Sequence, residues 1–330
     1  MKCAFLFPGQ GTQSVGMGKD LYEKYEIVRE VFKKASEISK IDIAKLCFEG
    51  KREEYSEPYT IANGEIQVGE DLNQTENTQL AIATLSLAIL ALCKKENIEA
   101  QMAAGLSLGE YPALVYGGKI SFEDAIFLLK QRGYYMQHYL PKETFQMLAV
   151  IGLEESVIEA ICDEIEEQGL FIQPANYNCN GQVVISGEEN AIQLAQEQLK
   201  EARAKKTVVL NTSGPFHTRK LEEAAKQYKK DLEKVTFLQG NDCIVLKNID
   251  GKPYQKEENM VEILTKHIIS PVRFEQEIQE MLKQGVDTFI ELGPGKTLTG
   301  FVKRETKEVS TYCVNNVETF EALCENLKNQ

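Results

Sequence analysis

The spacing of apolar and polar residues predicts alternating strands and helices along most of the chain. Residues 2–7 form an apolar run that breaks at Pro8-Gly9, which is typical of a first, buried strand. Residues 78–94 are apolar nearly all round and predict a buried helix. Strands and helices that alternate in this way favour a mainly parallel sheet with helices on both faces.

A second pattern begins near residue 141. It reads strand, helix, strand, strand, helix, strand, which is the order of a small ferredoxin-like unit. We therefore expect a ferredoxin-like subdomain at 141–210, inserted into a large α/β domain formed by 1–140 and 211–330. Residues 55–72 combine turn-forming residues with a short alternating stretch and predict an inserted hairpin.

A nucleophile elbow is predicted at Gly105-Leu106-Ser107-Leu108-Gly109. An apolar stretch precedes it and a possible helix follows, so Ser107 would lie on a tight strand-to-helix turn that needs glycine on both sides. The turn would present the hydroxyl at a helix N-terminus, where backbone N–H groups meet developing negative charge. The expected fold class is α/β: a large α/β-hydrolase-like domain with a parallel sheet plus an inserted small ferredoxin-like domain.

Composition narrows the class of partner and the compartment. The chain has 330 residues, a net charge of −13 and 26% charged residues, which argues against nucleic acid or an anionic membrane as a partner. Its longest apolar run, 80–93, is too short to cross a bilayer, and its first residues do not resemble a signal peptide. Eight scattered cysteines without a C-x-x-C pair predict reduced thiols in a cytoplasmic protein.

Candidates for a general base and an anion clamp are few. Of the three histidines, His217 lies in a Gly-Pro loop that leads into a helix, a common place for an active-site side chain. His138 and His267 are expected to be structural. Arg132 is either a solvated helix cation or a bidentate clamp for a carboxylate, and the sequence leaves both open.

A phosphate-binding loop and a metal site are not expected. Gly293-Pro294-Gly295-Lys296-Thr297 resembles the end of a Walker loop, but Ile290 stands where that loop needs its first glycine. A tight strand-to-helix turn is the better interpretation. The cysteine and histidine positions fit no metal-binding pattern.

Several motifs, taken together and in order, give the chain a resemblance to a known family. They resemble the malonyl-CoA:acyl carrier protein transacylases of bacterial fatty acid synthesis, from Cys3 to about Arg304 apart from the 55–71 segment. The motifs are Phe7-Pro8-Gly9-Gln10-Gly11, Asn73-Gln74-Thr75-Glu76-Asn77-Thr78-Gln79, Ser107-Leu108-Gly109-Glu110-Tyr111, Gln131-Arg132-Gly133, Asn176-Tyr177-Asn178, Gly181-Gln182-Val183-Val184-Ile185-Ser186-Gly187, Phe216-His217 and Glu291-Leu292-Gly293-Pro294-Gly295.

The resemblance implies roles for the residues that match. Ser107 would be the nucleophile that carries the malonyl group, and His217 would be its base and later the acid for the leaving thiolate. The backbone N–H groups of Gln10 and Leu108 would form the oxyanion hole. Arg132 would pair with the free malonyl carboxylate.

Further positions support the site or depart from the family pattern. Asn178 would help to shape the site, and Phe216 resembles the malonyl-selective members. The family usually has histidine where Leu106 stands and glutamine where His267 stands. Because the family uses the backbone carbonyl at this second position, we expect His267 to orient His217 through its carbonyl.

The implied activity is transfer of malonyl from malonyl-CoA to the phosphopantetheine thiol of acyl carrier protein, by a ping-pong route without cofactor or metal. The alternatives are a trans-acting polyketide acyltransferase, a serine esterase of the α/β-hydrolase type, and a carrier-docking module without activity. Lys296, Lys303 and Arg304 are candidates for the carrier-docking patch. The hypothesis requires Ser107, His217 and Arg132 to meet in one crevice.

Overall fold

The computed structural model describes residues 1–55, 71–212 and 214–328. It contains two compact units: one formed by Met1–Tyr134, Val235–Leu246 and Met281–Gln330, the other by Tyr135–Lys234 and Lys247–Glu280. The second unit includes the region 141–210 expected for the ferredoxin-like subdomain and extends beyond it on both sides. The domain boundaries derived from the sequence stay a prediction. Most of the predicted hairpin at 55–72 lies outside the described residues.

The described residues form ten strands and thirteen α-helices. The strands are β1 (Cys3–Phe7), β2 (Met102–Gly105), β3 (Phe145–Ile151), β4 (Ile172–Cys179), β5 (Gln182–Glu188), β6 (Lys206–Leu210), β7 (Ile244–Val245), β8 (Val272–Arg273), β9 (Thr288–Leu292) and β10 (Ser310–Val314). The helices are α1 (Lys19–Lys24), α2 (Glu26–Ser39), α3 (Ile43–Glu49), α4 (Thr75–Lys95), α5 (Glu110–Tyr116), α6 (Phe122–His138), α7 (Glu155–Glu167), α8 (Glu189–Glu201), α9 (Glu222–Leu232), α10 (Met260–Ile269), α11 (Phe274–Lys283), α12 (Thr297–Glu305) and α13 (Val317–Lys328).

The first unit is built on a five-stranded sheet in the order β10-β9-β1-β2-β7. Every neighbouring pair in it is parallel, which confirms the parallel sheet predicted from the alternation of elements. β1 has β9 on one side and β2 on the other, so the chain order reverses at β1. In open α/β sheets, loops at the carboxyl ends of strands beside such a reversal form the binding crevice.

Helix α4 is the longest helix of the first unit, and most of its residues are buried. It has the length and composition to cross a membrane, but 89% of its most apolar window is buried inside the protein, as in the core helix of a soluble protein. The apolar run 80–93 is shorter than the helix, because the helix also contains polar residues such as Thr75 and Gln79, which are buried too.

The second unit contains a five-stranded sheet in the order β6-β3-β5-β4-β8. Its first four strands are antiparallel and, with α7 and α8, form the βαββαβ ferredoxin-like arrangement that the sequence predicts. The short strand β8 adds to the edge of β4 in parallel. Its two residues are too few to give a strand pattern in the sequence. A single apolar cluster from β3, β4, β5, α7 and α8 forms the core.

Other differences from the sequence prediction concern single helices and strands. The pattern of residues 19–39 is helical throughout, but these residues form two helices, because Tyr25 adopts an extended conformation (φ −114°, ψ 121°) between α1 and α2. The strand-to-helix turn at 293–297 predicts a helix after it, which is α12, whereas β10 and α13 have no counterpart in the sequence prediction.

Candidate active site

Ser107 lies on a strained turn between β2 and α5. Its backbone has φ +56°, a left-handed conformation that a non-glycine residue rarely adopts. The flanking glycines have no room for a side chain: a Cβ at Gly105 would lie 2.0 Å from the Gly109 carbonyl oxygen, and a Cβ at Gly109 would lie 2.1 Å from the Phe7 oxygen. The local geometry is that of a nucleophile elbow.

The loop after β1 lies directly against this elbow. The Leu106 N–H donates to the Phe7 carbonyl at 3.0 Å, and a Cβ at Gly9 would lie 2.7 Å from the Leu106 oxygen. Gln10 is fixed in the same loop by its side-chain amide, which donates to Thr75 Oγ1 at 3.1 Å. Gln10 and Leu108 therefore belong to adjoining segments at the carboxyl ends of β1 and β2.

Arg132 reaches the nucleophile turn from α6. Its Nη2 donates to Ser107 Oγ at 3.1 Å and its Nη1 donates to Gln79 Oε1 on α4 at 2.7 Å. The guanidinium carbon also lies 5.8 Å from the centre of the Tyr111 ring. The side chain is 0% exposed, so the alternative of a solvated helix cation is wrong. Gly133 allows α6 to lie close to α4, since a Cβ at Gly133 would lie 2.7 Å from Glu76 Cα.

The burial of Arg132 defines what this part of the site can bind. Among the described residues, its Nε is buried and has no hydrogen-bond partner. A buried cation without a carboxylate partner is costly, and a planar guanidinium binds carboxylates through two parallel hydrogen bonds. The arrangement suits an anionic ligand beside the Ser107 hydroxyl.

His217 lies in the second unit and is held by a backbone carbonyl. Its Nδ1 is 3.0 Å from the carbonyl oxygen of His267, in α10. A carbonyl oxygen can only accept, so in this bond Nδ1 carries the proton and Nε2 keeps its lone pair. His217 has φ +58° and is 3% exposed. It shares left-handed backbone strain with Ser107, and such strain concentrates at functional sites.

The carbonyl of His267 is available because of where α10 ends. The helix stops at Ile269, and the residue four positions after His267 is Pro271, which has no N–H to donate. The negative end of the helix dipole therefore faces His217. The two imidazole rings also stack, with centroids 5.1 Å apart and an interplanar angle of 21°.

Asn178 and Phe216 are both buried in the second unit. Asn178 sits in β4 at a register irregularity between Tyr177 and Cys179. Its Oδ1 is buried and has no hydrogen-bond partner within the described residues. A β-bulge changes the direction of nearby side chains, which explains how a polar side chain in a strand can point away from the hydrogen bonds between the strands. Phe216 immediately precedes His217 and is 6% exposed.

The turn at Gly293–Lys296 is a structural strand-to-helix connection. The buried Glu291 carboxylate accepts the N–H groups of Leu298 (3.1 Å) and Thr299 (2.8 Å) in the first turn of α12. A phosphate at the start of α12 would need to bind these same N–H groups. Burial raises the pKa of Glu291, although these hydrogen bonds act in the opposite direction.

Residues 1–55, 71–212 and 214–328 contain no group of three or more His, Cys, Asp or Glu side chains that could hold a metal ion. The eight cysteines lie in these ranges as free thiols. Burial raises the pKa of several, to about 12 for Cys162 and Cys243, so these thiols are poor nucleophiles.

Gln79 and Pro271 contribute to the site, although no role is predicted for them from the sequence. Gln79 is a polar residue in a helix that is apolar nearly all round, and that exception signals a buried hydrogen-bond partner. The proline four residues after His267 signals a carbonyl without a helical donor. Both signals can be read from the printed sequence.

Comparison with known proteins identifies the family. Residues 4–329 match the acyl transferase domain family, and the chain belongs to that family and is an acyltransferase. It is 37% identical over 329 residues to the malonyl CoA-acyl carrier protein transacylase of Bacillus subtilis strain 168, covering 100% of this chain and 98% of that protein. The family resemblance drawn from the motifs is confirmed.

Solved structures agree with this assignment. The malonyl CoA-acyl carrier protein transacylase of Clostridium perfringens superposes with a TM-score of 0.90 at 38% identity, over 100% of this chain and 98% of that one. A malonyl-transacylase solved in complex with its type II polyketide acyl-carrier protein has a TM-score of 0.89 at 34% identity, over 99% of this chain and 100% of that one.

Proposed function

We propose that this acyltransferase moves the malonyl group of malonyl-CoA to the phosphopantetheine thiol of acyl carrier protein through a malonyl-serine intermediate. The observation that carries the proposal is the 3.1 Å contact between Ser107 Oγ and the fully buried guanidinium of Arg132. A nucleophile beside a buried cation is suited to an acyl group that ends in a carboxylate. The names of the relatives support the same substrate and acceptor.

In the first half-reaction, Nε2 of His217 takes the proton of Ser107, and Oγ attacks the thioester carbonyl of malonyl-CoA. The backbone N–H groups of Gln10 and Leu108 stabilise the tetrahedral oxyanion, each by about 3 kcal/mol. The intermediate collapses, the carbon–sulfur bond breaks, and His217 returns the proton to the CoA thiolate. Malonyl-Ser107 and free CoA result.

In the second half-reaction, the phosphopantetheine thiol gives its proton to His217 and its sulfur attacks the ester carbonyl of malonyl-Ser107. The same two N–H groups stabilise the second oxyanion. When the bond to Oγ breaks, Ser107 recovers the proton from His217. Every proton moves between the two substrates and side chains of the protein, so this scheme uses no cofactor.

Arg132 provides the selectivity for malonyl. Gln79 holds one side of its guanidinium, and the malonyl carboxylate takes hydrogen bonds from the rest. Acetyl-CoA would leave the buried cation unpaired, and breaking a buried ion pair costs about 3–5 kcal/mol. Phe216 and Asn178 would complete the walls of the acyl site, with Asn178 Oδ1 as a further acceptor.

The proposed acceptor is a carrier protein in the cytoplasm. Lys296, Lys303 and Arg304 are exposed cations on and beside α12 in a chain of net charge −13. Their role in carrier docking is part of the proposal. A type II polyketide carrier and a fatty acid carrier would present the same thiol, and a panel of purified carriers distinguishes the two pathways.

Intact-mass spectrometry tests the proposal. Incubation with malonyl-CoA should add one malonyl group to the wild-type protein and none to Ser107→Ala, and added carrier should remove it. His217→Ala should slow both steps. If wild type hydrolyses simple esters but transfers no malonyl, the esterase alternative replaces the proposal. A wild-type protein that binds carrier and never forms the adduct would be a docking module.

A further inference from the structure

His267 contacts His217 in two different ways. Its backbone carbonyl accepts the hydrogen bond from Nδ1 at 3.0 Å. Its imidazole ring lies against the His217 ring at a centroid distance of 5.1 Å and 21° from parallel. The first contact needs no particular side chain at position 267, whereas the second depends on that side chain.

The two contacts restrain different movements of the His217 ring. A single hydrogen bond fixes one atom and a direction, but the ring can still rotate about the line that joins Nδ1 to the carbonyl oxygen. A flat group stacked on one face of the ring prevents that rotation. The rotation changes where Nε2 points, and Nε2 is the atom that must exchange protons.

The backbone at His217 makes this second restraint important. The residue is held at φ +58° in a turn, outside any helix or strand that would fix its side chain. His267 is in the last turn of α10 and is 0% exposed, and helix α10 packs against α9. A rigid residue therefore supports the ring of a strained one.

We propose that the side chain of His267 is a positioning residue, whose flat face holds the imidazole of His217 in the plane required for proton transfer. This inference rests on the proposed function, in which His217 is the general base. The positioning role depends on the flat shape of the side chain at 267 and not on its ring nitrogens. The sequence analysis expected only the carbonyl to matter.

Three variants at one position separate planarity from size and chemistry. His267→Phe keeps a flat ring and removes the nitrogens, His267→Leu has a similar bulk without a flat face, and His267→Ala leaves a gap. All three keep the backbone carbonyl. For each, kcat and KM for malonyl-CoA are measured with saturating carrier, together with the melting temperature.

We expect kcat of the phenylalanine variant to stay within about threefold of wild type. The leucine and alanine variants should lose about 10- to 100-fold in kcat, since displacement of a catalytic group by about 1 Å costs up to 10²-fold. KM for malonyl-CoA should stay within about twofold, because the contacts of Arg132 are untouched. Recovery by phenylalanine is an effect that general destabilisation would not produce.

Two results would overturn the inference. One is wild-type kcat in the leucine and alanine variants, and the other is a loss in the phenylalanine variant as large as that in alanine. If alanine does not fold, the comparison of leucine with phenylalanine decides alone. Failure of the proposed function is distinguishable, because it shows first in the wild-type protein as absence of malonyl transfer to the carrier.

Discussion

Arg132 Nη2 lies 3.1 Å from Ser107 Oγ, while its Nη1 is bound to Gln79 Oε1 at 2.7 Å. The side chain that we propose to select the acyl group is thus anchored by Gln79 on one side and donates to the Ser107 hydroxyl on the other. In malonyl-Ser107 the free carboxylate is only a few bonds from Oγ. A guanidinium in this position can bind that carboxylate without a large movement of the protein.

Arg132→Ala should abolish most malonyl transfer and spare acetyl transfer. The loss expected for malonyl is about 10²- to 10⁴-fold in kcat/KM, from a missing buried ion pair of about 3–5 kcal/mol. Acetyl-CoA has no carboxylate, so its transfer should be unchanged or faster. Transfer to carrier is measured with both thioesters under identical conditions.

Arg132→Lys is the matched control, because lysine keeps the charge but cannot form two parallel hydrogen bonds. It should recover part of the malonyl activity and less than wild type. Equal losses of malonyl and acetyl transfer in Arg132→Ala would remove the clamp assignment.

Gln79→Met should weaken malonyl selectivity while keeping the volume of the side chain. The hydrogen bond to Arg132 Nη1 is lost, and a buried charged group without its partner costs about 1–3 kcal/mol. We expect a 5- to 100-fold lower ratio of malonyl to acetyl kcat/KM. In the Arg132→Ala background the same change should have little further effect, and a double-mutant cycle measures this coupling. Additive losses would show that Gln79 acts elsewhere.

The elbow and the parallel sheet were accessible from the sequence because each follows from local rules. A serine between two glycines, with an apolar strand before it and a possible helix after it, is the sequence pattern of a nucleophile elbow. The burial of Arg132 was not accessible, since the pattern of α6 is compatible with a solvated or a buried position. Its partner Gln79 is 53 residues away along the chain, and only the packing of α6 against α4 joins them.

The histidine pair shows the same limit. His217 was identified from its Gly-Pro loop, and its bond to the His267 carbonyl was expected from the family resemblance. The ring stack depends on two side-chain orientations 50 residues apart. No periodicity or spacing contains that information.

Gly105→Ala should inactivate the protein through the shape of the elbow. The new Cβ would lie 2.0 Å from the carbonyl carbon and oxygen of Gly109, and neither is a flexible side-chain atom that can move away. We expect a loss of stability of several kcal/mol, or a displaced Ser107 with kcat at least about 100-fold lower. Urea unfolding and malonyl transfer are measured on the same samples.

Gly300→Ala provides the control for the glycine substitution itself. Gly300 lies inside α12, and a Cβ there meets no atom within 4 Å. Alanine is the better helix former by about 1 kcal/mol, so this variant should be at least as stable as wild type and fully active. A Gly105→Ala protein as stable and active as Gly300→Ala would contradict the close packing of the elbow.

The last prediction concerns Glu291, whose buried carboxylate accepts two N–H groups at the start of α12. Its pKa is raised by burial, so the folded protein holds this proton to higher pH than the unfolded chain does. As the pH rises from about 4, the unfolded chain releases the proton first, and the free energy of unfolding falls until the folded carboxyl has also ionised.

Glu291→Gln has no proton to release and should not show this decrease. The variant loses one of the two acceptor oxygens, at a cost of about 1 kcal/mol that does not depend on pH. Its free energy of unfolding should therefore rise relative to wild type as the pH is raised from about 4 through the range in which the wild type loses stability. Urea titrations of both proteins across that pH range measure the difference between their free energies of unfolding. The contributions of the other titrating groups cancel in this difference. A difference that is constant with pH would show that the hydrogen bonds to α12 cancel the effect of burial, and one that falls as pH rises would show that they outweigh it.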